Sequence, residues 1–396
     1  IQEDGGNDYG ERSFISSPVT MDSTPLKYYF MAQAGGNANT RTVDKVGIPA
    51  GTWGTNTASE FSGITDLSSY LAKDASGSFI MSASSADRPM ARTAATGVHV
   101  NDKVIMIGLQ QHSLFKGIIE ELGADRGGQV LAYHPHVPNV HKTYPTVGSI
   151  TALMPEASDG PSADGESGDT AFPFGNFKPL WTVGEVYVDS MGFQRAMAGV
   201  PDGQGAYLLD DSTVRLVSQS ESYGPLSGYE SWAFPENGGV TFTGSHVQYV
   251  DVDRSMLAEF MAGSGPASDM VKGAGELIET VYNLKMELVG PRTGETAEKP
   301  HYSHTDINGN WVVAGVPSQA DWFFQSFCAA DLAPANQWGT NMGFDDHVFI
   351  TNEEWTAYSK PGFIGIPAWA IDIANKAAYP IPAIGMGGFE KLTEIS

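Results

Sequence analysis

Apolar and polar positions alternate along this chain in many short runs. Period-two patterning, which sets one face of an extended segment against a core, recurs at 28–32, 78–82, 104–107, 130–133, 183–188, 206–209, 213–218, 240–243, 247–252, 311–314 and 348–351. Turn-forming residues separate the runs. Helical spacing is scarce. Phe115, Ile118, Ile119 and Leu122 predict a helix over 114–122, and Val271, Ala274, Leu277, Ile278, Val281 and Leu284 predict one over 270–284. Many short strands broken by turns predict a mainly β fold of the propeller, barrel or sandwich kind.

Composition agrees with that pattern. The 396 residues include 46 Gly and 23 Pro, enough to supply a turn after almost every strand, and the 41% apolar content is enough for a large core. Asp and Glu outnumber Lys and Arg by 46 to 22, a formal charge of -24. Such a surface repels nucleic acid and anionic lipid. It also repels a phosphorylated substrate unless bound cations reverse the local field. No apolar run is long enough for a transmembrane helix. With a single cysteine there is no internal disulfide. A start at Ile1, with no charged or apolar leader, is what removal of a signal peptide leaves, so the expected location is secreted, periplasmic or on the extracellular surface.

Candidate chemistry concentrates between Phe327 and Trp355. The segment F-C-A-A-D-L-A holds Cys328, and F-I-T-N-E-E-W ends a strand-like run with Glu353 and Glu354. A thiolate and two carboxylates brought together can hold cations; the plain alternative is a buried cysteine acting as a small hydrophobe beside a solvated acidic strand end. Two other groups invite a metal and read better as surface loops. They are His134, His136 and His141 among prolines, and the acidic, breaker-rich stretch 155–169 with Asp159, Asp164, Glu166 and Asp169, which lacks calcium-loop spacing. No nucleophile elbow or phosphate-cradling glycine loop occurs, so a serine triad and nucleotide binding find no support.

From residue 180 an ordered series of segments follows: L-W-T-V-G-E (180–185), G-V-P-D-G-Q-G-A-Y (199–207), T-V-R-L-V-S-Q-S-E (213–221), F-T-G-S-H-V (242–247), F-C-A-A-D-L-A, F-I-T-N-E-E, P-A-W-A (367–370) and I-P-A-I-G-M-G-G-F-E (381–390). In order and spacing this resembles the PhoX-type alkaline phosphatase family, secreted β-propellers whose sites are built from calcium and iron. The resemblance covers residues 175–390. It implies that Cys328 is an iron ligand and that Glu353 or Glu354 belongs to the same cluster. It further implies that Glu221 and Glu390 stand at two more acidic ligand positions, while Asp202 shapes a turn. Three motifs depart from the family pattern. Its N-H-E is Gln219-Ser220-Glu221 here, its W-E-N is Phe389-Glu390-Lys391, and the glycine before its Glu-Glu pair is Asn352.

The resulting expectation is a mainly β protein with a β-propeller portion over 171–396, an acidic linker at 155–170, and an N-terminal region of mixed α/β character over 1–154 supplying extra blades or an assembly domain. The family continues past the last of these motifs, which implies a continuing polypeptide, a partner chain or self-assembly to complete the propeller, or a dismantled site. Two functions follow. One is a phosphomonoesterase using calcium and iron on a phosphorylated small molecule. The other is a non-catalytic, calcium-stabilised surface, filament or adhesion protein of the same fold.

Overall fold

The computed structural model describes residues 11–16, 28–34, 59–86, 104–111, 119, 124–135, 175–190, 192–222, 232–234, 240–263, 265–290, 303–305, 311–313, 321–324, 326–354, 366–389 and 392. These residues are mainly β. Strands β1 (Glu11–Ser16) and β2 (Tyr28–Ala34) pair as an antiparallel hairpin. Strands β3 (Ser59–Asp66), β4 (Ile105–Gln111), β5 (Gly127–Pro135) and β6 (Gly175–Thr182) form an antiparallel meander, sheet A. A small hairpin follows, β7 (Val186–Val188) with β8 (Gln194–Ala196). Strands β9 (Pro201–Asp210) and β10 (Thr213–Ser220) begin sheet B. Next come β11 (Trp232–Phe234) and β12 (Val240–Gly244). Sheet B is then completed by β13 (Val247–Asp253) and β14 (Val271–Glu276), in the order β14-β13-β10-β9. Further on lie β15 (Thr280–Val281), β16 (Ser303–Thr305), β17 (Trp311–Val313) and β18 (Trp322–Phe324). Sheet C is the meander β19 (Phe327–Ala333), β20 (Val348–Glu353), β21 (Ala368–Asp372) and β22 (Ala377–Pro380), with β15 parallel on its outer edge.

The three meanders stack face to face in chain order. One core lies between sheets A and B, with Met106, Val130, Ala132 and Trp181 on one side and Ala206, Leu216, Val250 and Val252 on the other. A second lies between B and C, where Tyr207, Val217, Val247 and Tyr249 meet Phe327, Phe349, Trp369 and Ile371; Phe242 of β12 and Trp322 and Phe324 of β18 pack into it. Sheet B is thus covered on both faces, which is why β10 reads T-V-R-L-V rather than as a strict alternation. The one charged residue of β10, half-buried Arg215, forms a two-pronged bond to the directly opposed Asp251 (2.7 and 2.8 Å) with its guanidinium over the Tyr249 ring.

The first strands of the three sheets converge, with β9 lying against both β3 and β19. The spacing is set by β9's sequence, P-D-G-Q-G-A-Y. A Cβ on Gly203 would overlap that of Ala330, and one on Gly205 would press into the Leu332 side chain. Two buried cations tie sheet A to sheet B from the outside. Arg254 donates to the carbonyls of Tyr70, Met81 and Asp211. The Nζ of Lys178 on β6 donates to Phe260 O (2.6 Å) and Gly263 O (3.0 Å), where the short helix Arg254–Phe260 ends; burial lowers the pKa of this lysine. That helix starts on Asp253, whose carboxylate accepts from the N–H groups of Ser255 and Met256.

Several expectations change. The helix predicted over 270–284 is β14 and β15. Gly273 and Gly275 weaken a helix there, β13 offers a free ladder edge, and the Tyr249 ring occupies the space above Gly275. Residues 78–82 form no strand; Phe79 makes a single bridge to Lys73 across a turn held by the Asp74 carboxylate. His134 is not in a loop but in β5, fully buried, while His136 and His141 lie outside the described residues. The helix predicted over 114–122 is described only at Ile119, and the acidic stretch 155–170 not at all. Strand β5 pairs with β6, so sheet A joins the region before that stretch to the region after it. Among the described residues no helix is long and apolar enough to cross a membrane.

Because β9 and β19 meet through bare glycine faces, Gly203→Ala is expected to destabilise the protein by about 2–3 kcal/mol through overpacking. A denaturant melt measures this; a change under about 0.5 kcal/mol, the size of an ordinary surface effect, would show that the strands do not touch there.

Candidate functional site: the strand ends beside Ser326

Where β9 and β19 begin, each is preceded by a residue in the left-handed region: Val200 (φ +58°) and Ser326 (φ +49°). This conformation is unfavourable for a serine and more so for a β-branched valine. Sheets B and C then repeat one construction. The carbonyl of Val200 accepts the N–H of Glu221 (2.7 Å), just past the end of β10. The carbonyl of Ser326 accepts the N–H of Glu354 (2.9 Å), just past the end of β20. A third left-handed residue, Asp125 (φ +64°), takes the Ser222 hydroxyl on its carboxylate (3.1 Å), and Ser326 N–H donates to Ser222 O (2.8 Å). Strained backbone from three sheets therefore surrounds the Glu221–Ser222 turn.

This construction brings two of the expected ligands together. Ser326 Oγ lies 3.3 Å from Glu221 Oε1 and 3.2 Å from Glu354 Oε2. Ser326 is fully buried, while both glutamates are half-buried. A hydroxyl carries one proton and serves one carboxylate at a time. Gln110, near the end of β4 in sheet A, donates from Nε2 to Glu221 Oε2 (2.9 Å). Gln110, Glu221, Ser326 and Glu354 thus form one polar chain across the ends of all three sheets.

Below it lies a second polar layer. Asp202 accepts from the Ser62 hydroxyl and from Gln219 Nε2 (3.3 Å). The same Nε2 donates to Phe327 O (3.0 Å), and Gln219 Oε1 accepts from the Thr351 hydroxyl. Both ends of the Gln219 amide are thereby engaged in joining β9, β10, β19 and β20.

Glu353 pairs across the ladder with Phe327, points into the core and accepts from Trp369 Nε1 (3.1 Å). Neighbouring strand residues face opposite ways, which sets Glu353 toward Trp369 and Glu354 toward Ser326. Cys328 is a half-buried thiol at a bulge of β19, between the Phe327–Glu353 and Ala329–Asn352 pairs. Glu390 lies outside the described residues; Phe389, before it, accepts from Asn352 Nδ2 (3.2 Å). Among the described residues, no three His, Cys, Asp or Glu side chains gather as a metal site. Ser326 and Gln110 carried no signal in the sequence, because their roles depend on sheets distant along the chain.

A buried ionisable pair supports the same strand ends. His246 donates its backbone N–H to Ser220 Oγ (2.8 Å), and its Nδ1 lies 3.2 Å from Glu276 Oε2. The other oxygen of Glu276 accepts the N–H groups of Val247 and Ile278. Burial raises the pKa of the Glu276 carboxyl, a shift these hydrogen bonds oppose.

Comparison of the chain with protein-family models, with curated proteins and with solved structures finds no match.

The Glu276 shift has a definite sign. The folded state holds this proton to higher pH than the unfolded chain, so the group's contribution to stability is present below the ordinary value of 4.5 and is lost as pH rises through the raised value. Glu276→Gln keeps an acceptor for Val247 and Ile278 and does not titrate. Urea unfolding from pH 4 upward is expected to show a stability slope that is more negative in the parent than in the variant, by at most about 1.4 kcal/mol per pH unit. Identical slopes would contradict the assignment.

Proposed function

We propose that this chain is a PhoX-like β-propeller protein whose blades include sheets A, B and C, and that it is a secreted, cation-dependent phosphomonoesterase. The observation that carries this is the meeting of Glu221 and Glu354, from two different sheets, at the single hydroxyl of Ser326. Two carboxylates that meet at one hydroxyl at half-buried strand ends favour a cation between them. The oxygen-only donor set suits a hard ion such as calcium. When bound, such an ion supplies charge neutralisation for the oxygens of a phosphoryl group, which an acidic protein otherwise repels.

The chain's own residues hold and orient. Gln110 fixes one oxygen of Glu221, leaving the other toward Ser326. The left-handed turn at Ser326 places its hydroxyl between the two carboxylates, and the Asp202–Gln219–Thr351 layer keeps β9, β10 and β20 from shifting beneath them. The iron–thiolate cluster implied by the family resemblance fits less well. Glu353 accepts from the Trp369 indole inside the core, away from the hydroxyl where Glu221 and Glu354 meet.

A second reading keeps the cation and drops the turnover. It is favoured by Gln219 and Ser220, which stand where the family pattern has Asn and His. Both are engaged in bonds that join strands, as a structural role requires. In that case the protein is an extracellular scaffold stabilised by calcium.

The two readings separate in one assay on the full chain. Hydrolysis of p-nitrophenyl phosphate is expected with added calcium, to be lost on chelation, and to fall at least about 100-fold in Glu354→Gln, the scale of losing one charge-stabilising group. No turnover under any metal supplement, with a melting temperature that still falls on chelation, would reject the enzyme and keep the scaffold.

A further inference from the structure

Ser245 and His246 lie in the F-T-G-S-H-V segment, where Gly244 (φ +93°) turns the chain from β12 into β13. Ser245 is fully buried. Its hydroxyl donates to Ser222 O (3.0 Å) and accepts the N–H of Phe327 (3.1 Å). The partners fix both roles, since a carbonyl only accepts and an amide N–H only donates. The N–H of Ser245 donates to Phe324 O (3.0 Å).

His246 extends the contact. Its N–H donates to Ser220 Oγ (2.8 Å), and its carbonyl accepts the N–H of Ser220 (2.8 Å). Bonds from this one corner therefore reach the residues on both sides of Glu221 and the residue that follows Ser326. Glu221 and Ser326 lie 105 positions apart in the chain, so contacts between sheets set their spacing. Ser222 O takes the N–H of Ser326 as well as the Ser245 hydroxyl. Removing that hydroxyl leaves the N–H of Phe327 without this acceptor and one fewer bond between the two turns. Groups that bind an ion together must be held to within about 0.5 Å of the productive geometry.

We infer that Ser245 is a positioning residue for the Glu221–Glu354 pair: its hydroxyl sets the spacing between the Glu221–Ser222 turn and the Ser326–Phe327 strand start, and with it the affinity for the cation. This rests on the cation reading of that pair. Ser245 acts through the backbone of the two turns.

The test uses the full chain, calcium titration calorimetry, and melting curves with calcium and with chelator. Ser68→Ala is the control. It removes another buried hydroxyl that accepts a backbone N–H, that of Val104 (3.0 Å), at the opposite end of β4 from Gln110. Ser245→Ala and Ser68→Ala are both expected to melt below wild type in chelator. Only Ser245→Ala is expected to lose calcium affinity, by about tenfold or more, and to gain less than wild type from calcium on melting. Ser245→Cys keeps the shape and weakens both hydrogen bonds; its affinity is expected to fall too, and it decides the matter if the alanine form does not fold. Wild-type affinity in Ser245→Ala, or in Ser245→Cys where the alanine form does not fold, overturns the inference, as does an equal loss in Ser68→Ala. If that result comes while Glu354→Gln abolishes binding, only the assignment of Ser245 falls. If wild type binds no calcium, the cation reading falls and takes this inference with it.

Discussion

The close approach of β9 to β3 on one side and β19 on the other is the constraint on which the rest depends. It requires the bare backbone of Gly203 and Gly205, since a methyl at either would push the sheets apart. It also brings strand ends from three sheets together, with their polar groups away from water. Those groups must find partners inside the protein or be costly. Gln219 answers that demand by joining four strands through one amide. The left-handed residues Val200, Ser326 and Asp125 are the conformational cost of turning three strands into one small space.

The same approach gathers charge. Glu221 and Glu354 hold equivalent positions in successive sheets, each one residue past its second strand and each donating its N–H to a left-handed residue's carbonyl. When those sheets are stacked with their first strands in contact, the two carboxylates meet. The site is a consequence of repeating one supersecondary unit around tight inner strands. A formal charge of -24 adds to the mutual repulsion that such a meeting must offset.

What could be read from the sequence follows from these physics. Strands with a plain alternation, such as β2, β5 and β13, were legible because period two is a local signal. The stretch 270–284 was not, because its apolar positions satisfy helical spacing as well as strand pairing. The outcome there rests on β13 and the Tyr249 ring, which are tertiary. At the site, Glu221 and Glu354 stood in the ordered motifs, which marked them as candidates. Glu353 could not be told from Glu354, since only the register of β20 decides which one faces the core. Ser326 and Gln110 were invisible because they act across sheets.

The central claim is that Glu221 and Glu354 act as one unit through a shared cation. A double-mutant cycle measures it directly: unfolding free energies of Glu221→Gln, Glu354→Gln and the double variant, in saturating calcium and in chelator. The account predicts strongly non-additive effects in calcium, with a coupling of about 1 kcal/mol or more, because either change alone already loses the ion, and a clearly smaller coupling in chelator. Additive effects in calcium would contradict it.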